Sequence, residues 1–382
     1  MNVAVSELLQ RRAEHWLDRW RAWRNRTLAA RGFQDWACGF LPTRPFARRR
    51  ALALFDLCAG FVYSQVLMAC VELQLFERLR AKACRLEELA LDSPISQDCL
   101  RVLLVAAASL DLVHWDAARR LCSLGPLGAA LLAHPGLQKM IAHQRLLYVD
   151  LAEPLAVLRG AGRTRLQQFW AYARPAGPGA VAEESVREYS ALMSASQEWI
   201  ASEVFRVCPL AAHRCLLDIG AGEGAFAERA ALLAPDLQVL CFDLPPVARR
   251  AALRLQHLGP RARAIGGDFR RDPLPAGADL ITLVRVLHDH DTATVRHLLH
   301  AACAALAPGG TLLIAEPMAG ERAGRRVADA YFAFYLRALG QGEPRSPAQL
   351  GHLLREAGLR SVRSPRMRLP MNVRVLLARK PA

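Results

Sequence analysis

Two rhythms of apolar and polar positions divide the chain. Through residues 51–160 the apolar residues recur at helical spacing. The stretch FDLCAGFVYSQVLMACVELQLFERL predicts one long apolar helix. RLEELALDSPISQDCLRVLLVAAASLDLV predicts helix, turn, helix, and DLVHWDAARRLCSLGPLGAALL a short strand pair followed by another helix. That order is a winged-helix pattern. From Cys215 onward short apolar runs alternate with amphipathic segments. CLLDI, QVLCFD, RARAIGGDF, ADLITLV, TLLIAEP and NVRVLLARK predict strands. AFAERAALLA, PPVARRAALRLQHLG, TATVRHLLHAACAALA and SPAQLGHLLREAG predict the helices between and beside them. The alternation predicts an α/β fold, a largely parallel doubly wound sheet with helices on both faces and its ligand crevice at the carboxyl ends of the strands. Proline and glycine cluster at Arg174-Pro175-Ala176-Gly177-Pro178-Gly179, which predicts a boundary and two domains, 1–180 and 181–382.

Composition narrows the class. The chain has 382 residues, of which 53% are hydrophobic and 22% charged, enough apolar mass for a real core and too much for a disordered protein. No unbroken run of 18 apolar residues occurs, so no membrane-spanning helix is expected. The arginine-dotted start is unlike a secretory signal. Ten cysteines are scattered without a CxxC, which fits free thiols in a reducing cytoplasm.

The net charge of +15 is almost wholly arginine, since Lys82, Lys139 and Lys380 are the only lysines. Heavy joint use of Arg, Ala, Gly and Pro reads as a genome bias, so the charge does not argue for nucleic acid. Its placement says more. Residues 1–50 hold eleven arginines against Glu7, Glu14, Asp18 and Asp35, together with Trp16, Trp20, Trp23 and Trp36. Trp16, Trp20 and Trp23 share one helix face. A basic helix with an aromatic stripe suits an anionic membrane surface. The same stripe suits an arm packed on another domain or subunit, and both readings stay open here.

The chemistry sits where strands meet loops. The first strand of the second half runs into Asp218-Ile219-Gly220-Ala221-Gly222-Glu223-Gly224. Glycine permits a sharp turn and close approach of a ligand, and the next helix begins there with its amides forward. Asp243, followed by Leu244, ends the second strand and is placed to accept from ribose hydroxyls. Gly267-Asp268-Phe269 offers a carboxylate for an adenine amino group and an aromatic ring to stack on the base. The spacing is G-x-G-x-G, and the G-x-G-x-x-G of NAD enzymes is absent. His288-Asp289-His290-Asp291 has metal-binding residue types, but neighbouring side chains of an extended segment diverge and no further His or Cys cluster completes a shell. No metal is expected.

Residues 216–224, 242–246, 267–269 and 284–291 together resemble the S-adenosylmethionine-dependent O-methyltransferases of the plant and bacterial small-molecule type. The resemblance covers most of the chain. It implies a Rossmann-like class I methyltransferase sheet after a mainly helical, winged-helix dimerisation domain, hence a homodimer and no nucleic acid. It implies that Asp218, Gly220, Gly222, Asp243, Leu244, Asp268, Phe269 and Arg285 bind S-adenosylmethionine. His288 matches the general base and Glu316 an acidic partner of that base; Pro344 stands where the family's second acid is usual, with Glu343 one position away. Met193 matches a methionine near the acceptor. Tyr331, Phe332, Phe334, Tyr335 and Leu336 lie on one predicted helix and either line an acceptor channel or belong to the core; Phe334 and Tyr335 are taken as substrate contacts.

The less generic stretches, residues 23–76, AYFAFYLRALGQGEPRSPAQLGHLLREAGL and the end of the chain, look like carotenoid O-methyltransferases of purple bacteria. That implies methylation of the tertiary C1 hydroxyl of an acyclic hydroxycarotenoid, close to the photosynthetic membrane. A bacteriochlorophyll-ring C-methyltransferase, an aromatic polyketide or phenol O-methyltransferase and a winged-helix DNA-binding regulator remain as alternatives. Against the last, Gln97–Leu104 is mostly apolar with one arginine, unlike a major-groove helix.

Overall fold

The computed structural model describes residues 2–160, 162–169, 194, 197, 200–320, 324–368 and 373–382, with side chains from His15 onward. Packing divides the chain into two units, Met1–Pro126 and Leu127–Ala382. The division falls well before the boundary expected at residue 180. The reason is a cluster that ties the segment after Pro126 to the second unit. Leu147, Val157 and Leu166 pack with Tyr335, Leu336, Ala338 and Leu339.

The first unit is helical. It runs α1 (Asn2–Ala29), α2 (Arg31–Gly39), α3 (Arg44–Glu72), α4 (Leu75–Arg78), β1 (Cys84–Arg85), α5 (Leu86–Leu91), α6 (Gln97–Ser109), β2 (Val113–Asp116) and β3 (Leu121–Leu124). The expected strand pair forms and gains a third, two-residue strand, giving a small antiparallel sheet in the order β1-β3-β2. Ser96 caps α6, its hydroxyl accepting from Cys99 N. Leu75, Phe76, Leu86, Leu89, Leu100, Leu104 and Cys122 are buried in this unit.

One helix of this unit stands out. α3 is long and apolar enough to cross a membrane by length and composition, and most of it is exposed within the chain. Asp56 is the one charged residue between 51 and 71. It breaks an unbroken apolar run without making the window polar.

The second unit opens with α7 (Pro126–Leu132), α8 (Pro135–Asp150), α9 (Pro154–Arg159) and α10 (Arg165–Phe169). The sheet follows: β4 (Cys215–Ile219), α11 (Ala225–Leu233), β5 (Gln238–Asp243), α12 (Pro245–Leu255), β6 (Ala262–Gly266), β7 (Leu280–Val284), α13 (Thr292–Ala305) and β8 (Thr311–Glu316). After a helix with the wide turn of a π-helix, Arg326–Phe332, come α14 (Ala333–Leu339), α15 (Pro347–Glu356), β9 (Arg360–Arg363) and β10 (Arg374–Arg379).

The strand order is β6-β5-β4-β7-β8-β10-β9. The first five are parallel and β10 pairs antiparallel with β8 and β9. Residues alternate between two buried clusters: Leu216, Val239, Leu280 and Leu313 belong to one, Leu217, Ile281, Leu312 and Leu376 to the other. Helices therefore cover both faces, which is why the strands read as continuous apolar runs. The chain winds outward from β4 in one direction and from β7 in the other. The crevice of a doubly wound sheet lies at this switch point. The loops after β4 and β7 meet there: a Cβ on Gly220 would stand 2.6 Å from Val286 Cγ2, so only glycine fits.

Candidate active site

The loop after β4 is shaped by Gly220, Gly222 and Gly224, all at positive φ, a region L side chains seldom adopt. The space over the α-carbon of Gly222 is open. Its amide donates to Asp243 Oδ2 (2.7 Å), and Leu244 N donates to Asp243 Oδ1 (2.7 Å). Each carboxylate oxygen keeps a lone pair for an incoming hydroxyl. Burial pushes Asp243 up to about 6, against the pull of those two amides. Asp218 does different work. It is buried inside the sheet and accepts from Thr282 Oγ1 (2.7 Å), and burial pushes it up to about 7. Its carboxyl braces β4 against β7.

Asp268 follows β6, where Gly267 N donates to Asp243 O. The Asp268 carboxylate is already engaged. Arg270 reaches it with its backbone N, with Nε (2.9 Å to Oδ1) and with Nη2 (2.8 Å to Oδ2), and this holds the group below the ordinary aspartate range. A carboxylate offers about four acceptor positions, and these contacts occupy them. Hydrogen bonding to an adenine amino group therefore requires Arg270 to swing aside. Phe269 meets His290 edge to face at 5.3 Å.

His288 lies in a short 3-10 turn, Leu287–Asp289, after β7. Asp291 ends the turn and caps α13 by accepting from Thr294 N (2.7 Å). Glu316, at the end of β8, is buried with every contact accounted for. Its Oε1 accepts from Val286 N (2.9 Å) and Leu287 N (2.7 Å), and its Oε2 is in close contact with His288 Nδ1. A carboxylate on Nδ1 fixes the tautomer and leaves Nε2 as the nitrogen able to accept a proton. Burial disfavours the charged imidazole, but the Asp289 and Glu316 carboxylates outweigh it and raise His288 above its ordinary value. Arg285, half-buried at positive φ, donates its amide to Ala315 O (2.8 Å) and lies in the field of Asp289 and Glu316.

The acceptor residues fall out differently from expectation. Met193 lies outside the described residues. Phe334 is partly exposed. Tyr335 is buried in the cluster with α8, α9 and α10, its hydroxyl 3.0 Å from His143 Nε2. It is core with a polar handle, while Tyr331 OH takes a hydrogen bond from Gln144 (2.6 Å). The ring that reaches His288 is Phe332, edge to face at 5.7 Å. The wide-turned helix ending at Phe332 puts it there, a geometry often found at functional sites.

Two more residues support the turn. Arg345 is buried and donates to Leu287 O (3.0 Å) and His290 O (2.9 Å). Gly342 passes so close to His288 O and the Asp289 backbone that no Cβ fits. Glu343 does not serve His288 as an acid. Its side chain faces Thr292 (3.1 Å) and Arg345 (3.1 Å), and only its amide touches the turn, donating to His288 O. Among the described residues no group of three or more His, Cys, Asp and Glu is arranged to hold a metal ion.

Comparison with known proteins agrees with this geometry. The model of the O-methyltransferase domain matches residues 149–360, and that of the O-methyltransferase dimerisation domain matches residues 55–134. Demethylspheroidene O-methyltransferase of Rhodobacter capsulatus is 42% identical over 334 residues, covering 87% of this chain and 83% of that one. The enzyme of the same name from Cereibacter sphaeroides is 40% identical over 328 residues, 84% of each. The crystal structure of human N-acetylserotonin methyltransferase in complex with SAM superposes with a TM-score of 0.73 at 24% identity, over 87% of this chain and 98% of that one, a likeness of fold. The chain belongs to the O-methyltransferase family and carries its dimerisation domain.

Proposed function

We propose that this O-methyltransferase moves a methyl group from S-adenosylmethionine to the tertiary C1 hydroxyl of an acyclic hydroxycarotenoid. One observation carries the substrate class: the identity of 42% and 40%, over more than four-fifths of the chain, to two demethylspheroidene O-methyltransferases. The site supports the reaction. Gly222 and Asp243 fit the ribose and amino-acid end of the donor, and Phe269 its base. The bound donor supplies an electrophilic methyl group on a positively charged sulfur. His288 Nε2 takes the acceptor's proton as the oxygen attacks, so no free alkoxide forms. Glu316 holds the ring for that task. Phe332 and the buried walls keep water away, which matters because charge moves during the transfer.

The working unit is a homodimer formed through the first unit. An acyclic carotenoid resides in lipid, so the enzyme acts in the cytoplasm at an anionic membrane surface, with the basic, tryptophan-bearing helices α1 and α2 as the contact. Labelled S-adenosylmethionine with detergent-dispersed 1-hydroxyneurosporene, a simple phenol and a bacteriochlorophyllide precursor tests the reaction. Label is expected in the carotenoid alone. Label in either other compound overturns the substrate class while keeping the chemistry.

A further inference from the structure

His288 has an acid beside each ring nitrogen. Glu316 serves Nδ1 and two backbone amides. The other is Asp289, whose Oδ1 lies 3.4 Å from Nε2. That oxygen is buried and accepts no hydrogen bond among the described residues. A buried carboxylate oxygen without a donor is costly, so its placement calls for a reason. The backbone also locks it in place. Gly342 abuts Asp289 from one side, and Arg345 pins the carbonyls of Leu287 and His290 on either side of the pair. The turn cannot slide to carry the carboxylate away.

We propose that Asp289 is the second acid of the base: a positioning residue whose charge stands beside Nε2 and balances the positive charge that arrives there when the acceptor gives up its proton. This rests on the methyl-transfer reading above. The acceptor's O–H bond breaks and its proton goes to Nε2. The freed electron pair forms the bond from oxygen to methyl carbon, and the pair of the breaking carbon–sulfur bond returns to sulfur. One positive charge thus leaves sulfur and arrives on His288. Until transfer, the acceptor hydroxyl stands at Nε2. Afterwards the ether oxygen has no proton to offer, and the protonated ring lies 3.4 Å from a fixed carboxylate. A charge stabilised where it develops lowers the barrier. It matters most for an aliphatic alcohol, a far weaker acid than a phenol.

The titratable and charged groups facing the ring come from few elements. Asp289, Arg285 and His290 belong to the turn after β7, and Glu316 to β8. Among the described residues the wide-turned helix brings the uncharged ring of Phe332 to His288, and the loop after α14 brings Arg345 and Glu343 against the same turn. Burial pushes Asp289 up to about 6, while His288 and Arg285 pull the other way.

The test is D289N in the full chain, with the pH dependence of kcat/KM for the carotenoid and donor affinity by calorimetry. Donor affinity should be unchanged. Turnover should fall about 10- to 100-fold, the size of one hydrogen bond to a charged group. The acid limb should move to lower pH, because a neutral amide no longer raises His288. D289E, which keeps the charge, should recover part of the rate and hold the limb at its wild-type position. A limb in the same place for D289N, or wild-type turnover, overturns the proposal. Should D289N fail to fold, histidine NMR of D289S and the wild type, assigned with H288Q, decides: His288 must titrate lower in D289S, and an unchanged titration overturns the proposal. The NMR arm needs no turnover, so failure of the methyl-transfer reading, seen as no label in any acceptor, stays separate from failure of this one.

Discussion

The two units handle their most exceptional side chains in opposite ways. Around His288 the exceptional groups are polar and buried, and the unit's own chain supplies their partners. Glu316 holds two amides and His288, Asp243 holds two amides, and Arg345 spans the turn. In the first unit the exceptional groups are apolar and exposed. Leu57 is 80% exposed, Leu41 77%, Phe46 72%, Phe61 71% and Trp16 64%. A buried polar group is tolerable only with a partner, and a contiguous exposed apolar surface marks a contact with something else. The catalytic half therefore meets most of its exceptional groups from within, with Asp289 Oδ1 left over, whereas the first half leaves an apolar surface open to a partner. The dimerisation model begins at residue 55, so it takes in Leu57 and Phe61 and leaves the tryptophans of α1 and α2 upstream.

The largest expected effect strikes the self-contained half. His288→Ala should lower kcat by about 10²- to 10⁴-fold, the usual worth of a positioned base. Donor affinity by calorimetry should not change, since Asp243 and the glycine loop are untouched. Turnover at the wild-type rate would remove His288 as the base. A smaller effect is expected from L57E combined with F61E in α3. Each apolar side chain buried at an interface is worth roughly 1.5–3 kcal/mol. The double variant should run as a monomer by light scattering where the wild type runs as a dimer. A variant dimer of unaltered stability would place the interface elsewhere. The smallest effect should come from replacing Trp16, Trp20 and Trp23 by alanine. Co-sedimentation with anionic vesicles should weaken several-fold, and binding to neutral vesicles should stay low throughout. Unchanged sedimentation would end the membrane reading and leave the stripe to a second subunit.

Much of the site could be read from local residues because its parts are local. A strand ending in glycines, an acid at the next strand end and a histidine after β7 each occupy a few consecutive positions. Their order along a doubly wound sheet brings those ends to one crevice. The polar partners were less legible. Asp268 looks free in Gly267-Asp268-Phe269, yet Arg270, two residues on, folds back over it. Glu343 looks like a candidate acid from its place beside Pro344, yet it turns toward Thr292 and Arg345. Arg345 and Gly342 carried no signal of their own, since an arginine and a glycine in a loop are common and their carbonyl partners leave no mark in sequence. Tyr335 sat on the right helix but faces α8, and its neighbour Phe332 reaches the base because the helix widens there.

By itself, the sequence determined the elements, the parallel order of the second half, the glycine loop, and the identities of His288, Glu316 and Asp243. These follow from periodicity and from residue chemistry acting over a few positions. Tertiary structure alone decided which acid stands beside Nε2, where the units divide and which aromatic ring meets the base. The first rests on residues 340–346 closing on 285–292, the second on Leu147, Val157 and Leu166 packing with 335–339, and the third on the wide turn before Phe332. A hydrogen bond is a matter of tenths of an ångström and of angle. No pattern along the chain encodes such a distance, because packing of the whole sheet sets it.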